Sequence, residues 1–122
     1  MSKAVILFAH GARDPEWARP FERLRAALLS RTPGLAVELA YLELMQPDLK
    51  AAVDALAARG ADSISIVPVF MAQGGHLKRD LPLQIEQVRE RHPGITLSLQ
   101  PAIGEAQPMI EAMAQYIADT AG

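Results

Sequence analysis

Apolar residues come in two rhythms along this chain. Short runs rich in Ile, Val and Leu occupy residues 3–9, 35–42, 63–71 and 95–99. Between them, apolar side chains recur at three- and four-residue intervals. A short apolar run bounded by turn formers predicts a strand buried on both faces, and the wider spacing predicts a helix with one apolar face. The first helix is expected to open at Pro15, with Asp14 before it as a cap, to carry Phe21, Leu24, Leu28 and Leu29, and to stop at Thr32-Pro33-Gly34. Pro47-Asp48 starts a second helix, with Leu49, Val53 and Leu56 on one face and its end at Gly60. Gly74-Gly75 precedes a third, containing Leu81, Ile85 and Val88 and ending at His92-Pro93-Gly94. The last helix is expected over Pro108–Ala118, with Met109, Met113 and Ile117 spaced for burial.

The resulting order, βαβαβαβα with short loops, predicts one α/β domain over residues 1–122. Its four-stranded parallel sheet is flanked by helices on both faces, giving three layers, with right-handed crossovers. In such folds ligands bind beyond the carboxyl ends of the strands, where strand order reverses. Chemistry is therefore expected in the loops that follow the strands.

Composition narrows the chemistry. The 122 residues include no cysteine, which removes disulfides, thiolate metal sites and a cysteine nucleophile. A metal here needs imidazole, carboxylate or backbone donors. A net charge of −2 points to neither nucleic acid nor an anionic membrane as partner. Met1-Ser2-Lys3 leads straight into the first strand with no leader-like segment, and no apolar stretch approaches the roughly 20 residues of a membrane span. The expectation is a cytoplasmic protein.

Three metal-ligating residue types fall at three strand ends. His10 ends the first strand, Glu43 follows the second in "YLELMQP", and His76 follows the third in "VPVFMAQGGH". Each has a plain structural alternative: a hydrogen-bonded histidine at a strand end, or a carboxylate at a helix entry. Together they suggest an open site for a borderline divalent metal. Arg13, Lys78 and Arg79 crowd the same edge. They serve as solvated charges or, because cations at a helix N-terminus oppose its dipole, as contacts for an anionic ligand. Gln73 and the amides of Gly74 and Gly75 can add hydrogen bonds, and Met45 an apolar wall. Met71 is a second candidate for that wall, with the core as its preferred assignment; Trp17, Met109 and Met113 are assigned to the core or a subunit contact, and His92 to a surface cap at the end of the third helix.

The segments "AHGARDP", "YLELMQPDL" and "VPVFMAQGGHLKRDLP" resemble the signature segments of the class II tetrapyrrole chelatases. The likeness is strongest to the short, single-domain sirohydrochlorin chelatases of the cobaltochelatase type, and it extends through "PAIGEAQPMI". It implies a chelatase-type α/β domain and insertion of a divalent metal into sirohydrochlorin. Cobalt comes first, with iron and nickel compatible, in cobalamin or siroheme synthesis. It implies that His10 and His76 hold the metal with Glu43 beside them. It also implies a homodimer, since larger relatives build the cleft from two domains. No organic cofactor is called for. Two other readings stay open. One is a non-catalytic metal or tetrapyrrole carrier. The other is a phosphohydrolase like the histidine phosphatases, against which stands Ala9 where that motif has Arg directly before the His.

Overall fold

A computed structural model describes residues 2–122, with the side chain of His76 outside the described part. Its centre is strand β1 (Lys3–Ala9), which pairs in parallel with β2 (Ala36–Tyr41) on one side and β3 (Ser63–Pro68) on the other. Strand β4 (Thr96–Leu99) pairs with β3, so the order is β2-β1-β3-β4. The chain leaves β1 towards β2 and leaves β3 towards β4. Strand order therefore reverses between β1 and β3, and their carboxyl ends frame the crevice where such sheets bind ligands.

The two faces are covered unequally. Ala4, Ile6 and Phe8 of β1, Ala40 of β2, Ile64 and Ile66 of β3 and Leu97 of β4 all point to one face. There they pack against Leu49, Val53 and Leu56 of α2 (Leu49–Ala58) and Leu81, Ile85 and Val88 of α3 (Gly75–Arg91). Each of these large side chains, fully buried, contributes about 1.5–3 kcal/mol, which makes this face the main source of stability. On the other face a smaller cluster joins Ala9, Ala18 and Tyr41 to Trp17, Phe21, Leu39 and Met45 under α1 (Arg19–Arg31). Helix α2 starts as expected: Asp48 caps it, accepting from the Ala51 amide at 2.9 Å.

Three departures from the sequence reading have physical causes. The helix expected at Pro15 is a 3-10 turn over Pro15–Ala18, capped by Asp14, and α1 begins only at Arg19. Pro20 enforces the break, because it lacks the amide that a continuous helix would need there, whereas in the first turn of a new helix that amide is not missed. Strand β3 stops at Pro68 rather than Met71, although the Val69 amide still donates to the Phe8 carbonyl at 2.8 Å. The fourth helix, α4 (Gln107–Thr120), buries none of its residues: Met109 and Ile117, expected inside, are exposed, and Met113 is half-buried. Its start is set by a 3-10 turn over Ile103–Glu105, whose Gly104 amide donates to the Phe70 carbonyl at 2.8 Å. The helix packs against that turn.

Candidate functional site at the carboxyl edge of the sheet

The pairing of β1 with β2 continues past both strands. The Leu42 amide donates to the Ala9 carbonyl at 2.9 Å, and the Glu43 amide to the His10 carbonyl at 3.2 Å. Gly11 permits this closeness. Its φ is +99°, and a Cβ there would lie 1.8 Å from the Glu43 carbonyl oxygen. No other residue fits both the conformation and the space. The two loops thus run side by side, and His10 Nε2 comes 3.3 Å from Glu43 Oε1, with each side chain a little over half exposed. From the opposite side the Phe70 ring stands edge-on to His10, centroids 6.4 Å apart, and to the buried Phe8 at 6.2 Å. The imidazole is held between a carboxylate and an aromatic edge.

The third expected ligand, His76, lies in the first turn of α3, on the same edge of the sheet. Its side chain is outside the described part, and among the described residues no three His, Asp or Glu side chains gather closely enough to hold a metal. The structure therefore brings together His10 and Glu43 and places the backbone of His76 on their edge. Arg13, Lys78 and Arg79 are exposed there, and Gln73 is half-buried. Gly74 and Gly75 adopt no left-handed conformation, and nothing lies within 4 Å of where their Cβ atoms would be. The protein itself does not require glycine at these two positions. They present bare backbone to whatever approaches.

The two methionines exchange the places expected of them. Met45 is half-buried against Ala9, Ala18 and Tyr41, whereas Met71, assigned to the core, is 68 % exposed. The cause is the end of β3 at Pro68: Met71 lies in the loop, where alternation no longer sends it inward. Sequence patterning also missed Phe70 as a buttress and Leu44, whose φ is +66° beside Glu43. Away from the edge, His92 ends α3 and lies 2.6 Å from Asp54 of α2, which Arg91 also contacts at 3.0 Å. The hydrogen bond from His92 holds the Asp54 carboxyl below the usual carboxylate range, helped by the charge of Arg91. Burial, and secondarily the charge of Glu22, push the Tyr41 phenol above its ordinary value. Cavities of about 300 and 320 Å³ lie on the flanks of the sheet and are lined by neither His10 nor Glu43. The His10–Glu43 site is an open edge with one wall.

The CbiX family model matches residues 4–120. A sirohydrochlorin cobaltochelatase from Sulfurisphaera tokodaii is 31% identical over 113 residues, which is 93% of this chain and 89% of that one. The sirohydrochlorin ferrochelatase of Bacillus subtilis is 24% identical over 119 residues, 98% of this chain but 46% of its own length. Among solved structures, a CbiX protein from Marinobacter aquaeolei superposes with a TM-score of 0.85 at 30% identity, covering 97% of this chain and 96% of that one.

Proposed function

The chain belongs to the CbiX family, and on that premise we propose that it is a chelatase that inserts a divalent metal, cobalt in first place, into sirohydrochlorin. The observation that carries the reading is the His10–Glu43 pair. Donor atoms 2.0–2.2 Å from one metal and at angles near 90–110° stand about 3.0–3.5 Å apart, and His10 Nε2 and Glu43 Oε1 are 3.3 Å apart. The pair matches the bite of a small divalent ion before any ion arrives. His76, in the first turn of α3 on the same edge, is the third ligand in this reading.

The protons balance. Insertion exchanges one divalent ion for the two inner N–H protons of the ring. As the ion passes from protein to ring nitrogens, the imidazole of His10 and the carboxylate of Glu43 are freed together, and each then offers a lone pair to one of the two departing protons. An exposed site of three donors also suits delivery, because a metal held by few protein ligands leaves more easily than one in a closed four-ligand cage. Arg13, Lys78 and Arg79 are placed for the carboxylates on the ring's rim, with Gln73 and the open backbone of Gly74 and Gly75 as neutral partners.

The relatives named above handle cobalt or iron by name, and the donor set accepts both, as it accepts nickel. We place the product in cobalamin synthesis, with siroheme as the iron alternative, and the reaction in the cytoplasm. Among the described residues no helix is long and apolar enough to cross a membrane. The Ala9-His10 order gives the phosphatase reading no support. The active species in this reading is a homodimer, because an open edge supplies one wall and a macrocycle needs two to be held and shielded from water. The test is anaerobic insertion with sirohydrochlorin and each metal in turn, followed by absorbance. Cobalt turnover at steady state is expected. Stoichiometric binding of metal or ring without turnover makes the protein a carrier instead.

A further inference from the structure

The same edge carries two apolar side chains that the core does not use. Among the described residues, large apolar side chains are exposed on α1, α3 and α4, and in loops at just two positions, Leu44 and Met71. Both loops are at the carboxyl edge. Leu44 directly follows Glu43, and Met71 directly follows Phe70, whose ring edge meets His10. With β1 between β2 and β3, the two residues stand on opposite sides of His10.

Leu44 is held there against two preferences. Its φ of +66° is one that glycine or asparagine adopts with less strain than leucine, and its side chain, 58 % exposed, would be better solvated if polar. Its neighbour Met45 packs inward against Tyr41 and Ala9, so the same loop sends one apolar residue into the core and leaves the one before it exposed beside Glu43. Backbone strain of this kind collects at functional sites. Met71 is held outward by a different device. Gly104 abuts its main chain so closely that a Cβ at 104 would fall 2.3 Å from the Met71 carbonyl oxygen, and the Gly104 amide ties down the Phe70 carbonyl. The main chain is pinned there, and the thioether side chain is 68 % exposed.

We propose that Leu44 and Met71 are specificity-determining residues: two apolar supports that seat the flat face of a tetrapyrrole across His10 and Glu43. The inference rests on the chelatase reading for the identity of the ring, and it assigns the contacts that reading leaves open. The ligand class follows from the chemistry. A ring with an apolar conjugated face and charged edges is matched by apolar supports flanking the metal donors, with Arg13, Lys78 and Arg79 further out. Methionine suits such a face because its side chain is flexible and polarizable.

The test uses Leu44→Asn, which suits the left-handed backbone, and Met71→Gln, which keeps length and loses apolar surface. Affinity for metal-free sirohydrochlorin is read by absorbance titration. The KM and kcat of cobalt insertion, cobalt affinity by calorimetry and the unfolding midpoint are measured alongside. Each substitution is expected to weaken ring binding and raise KM by about tenfold or more, the order expected for losing one buried apolar side chain. Cobalt affinity stays at the wild-type value, the Leu44→Asn midpoint does not fall, and Leu44→Met restores ring binding. Wild-type ring affinity in both variants overturns the proposal, as does a loss of cobalt affinity in Leu44→Asn. A wild-type protein that binds the ring but never turns over ends the chelatase reading, while the two supports stand or fall on the titration alone. One that binds no ring overturns both.

Discussion

His10 and Glu43 are reachable from sequence because each ends an apolar run, and a polar residue at the carboxyl end of a parallel strand already sits where ligands bind. His10→Ala is expected to abolish insertion and leave circular dichroism and the unfolding midpoint unchanged, since the side chain is outside the core; turnover at the wild-type rate removes His10 from the mechanism. Glu43→Gln keeps the shape but cannot take a proton at neutral pH. It should lower the insertion rate more than cobalt affinity, and equal losses in calorimetry and rate would make Glu43 chiefly a ligand. The feature that brings the pair together is less visible. "HG" at a strand end does not say that Gly11 adopts φ +99° against the Glu43 carbonyl. Gly11→Ala should therefore destabilise the protein by at least about 2 kcal/mol, from strain and forced separation of the loops. It should also reduce insertion beyond what the stability loss explains, because the 3.3 Å pairing opens. A urea titration beside the rate measurement checks both. Leu44 was illegible for a related reason: nothing in the letter L announces a positive φ.

Among the elements, β1, α2 and α3 were legible nearly to the residue, because burial on both faces or on one face leaves a periodic record. The start of α1 and the end of β3 were less so, where Pro20 and Pro68 intervened. Contacts between elements left no pattern at all. Asp54 lies on α2 and His92 closes α3, 38 residues apart in sequence. This latch makes a pH prediction. Asp54 is held below the usual carboxylate range, first by His92 and then by Arg91. The stability it contributes is thus fully present above the unfolded carboxylate value of about 3.9, and is lost as pH falls through the lower folded value. Urea midpoints of the wild type and Asp54→Asn should differ by a constant amount from pH 7 down to about 5 and converge below that. Curves that stay parallel to pH 3 would assign the latch no electrostatic part.

For the whole molecule, the decisive fact is an imbalance. Parallel sheets occur almost only with both faces covered, yet on the face opposite α2 and α3 the strands β3 and β4 show Ser65, Thr96 and Ser98, half-buried or exposed. Helix α4 meanwhile carries Met109, Ile110, Met113, Tyr116 and Ile117 along one stripe, with Ile117 64 % and Tyr116 72 % exposed, and Glu111 and Asp119 off that stripe. A stripe of this kind on one small domain marks an interaction surface, and in the homodimer proposed above a second copy would cover it and provide the missing wall of the site. The protein should then sediment at about twice its 13.2 kDa. Replacing Ile110 and Ile117 by Glu should give a folded monomer, because no residue of α4 is buried in the single chain. Insertion by that monomer should fall by at least about tenfold, since the ring loses one of its two walls. His10 and Glu43 remain intact in the variant, so its cobalt affinity should match that of the wild type. A fully active monomer, wild type or variant, at assay concentration would show that one wall is enough and leave α4 to another partner.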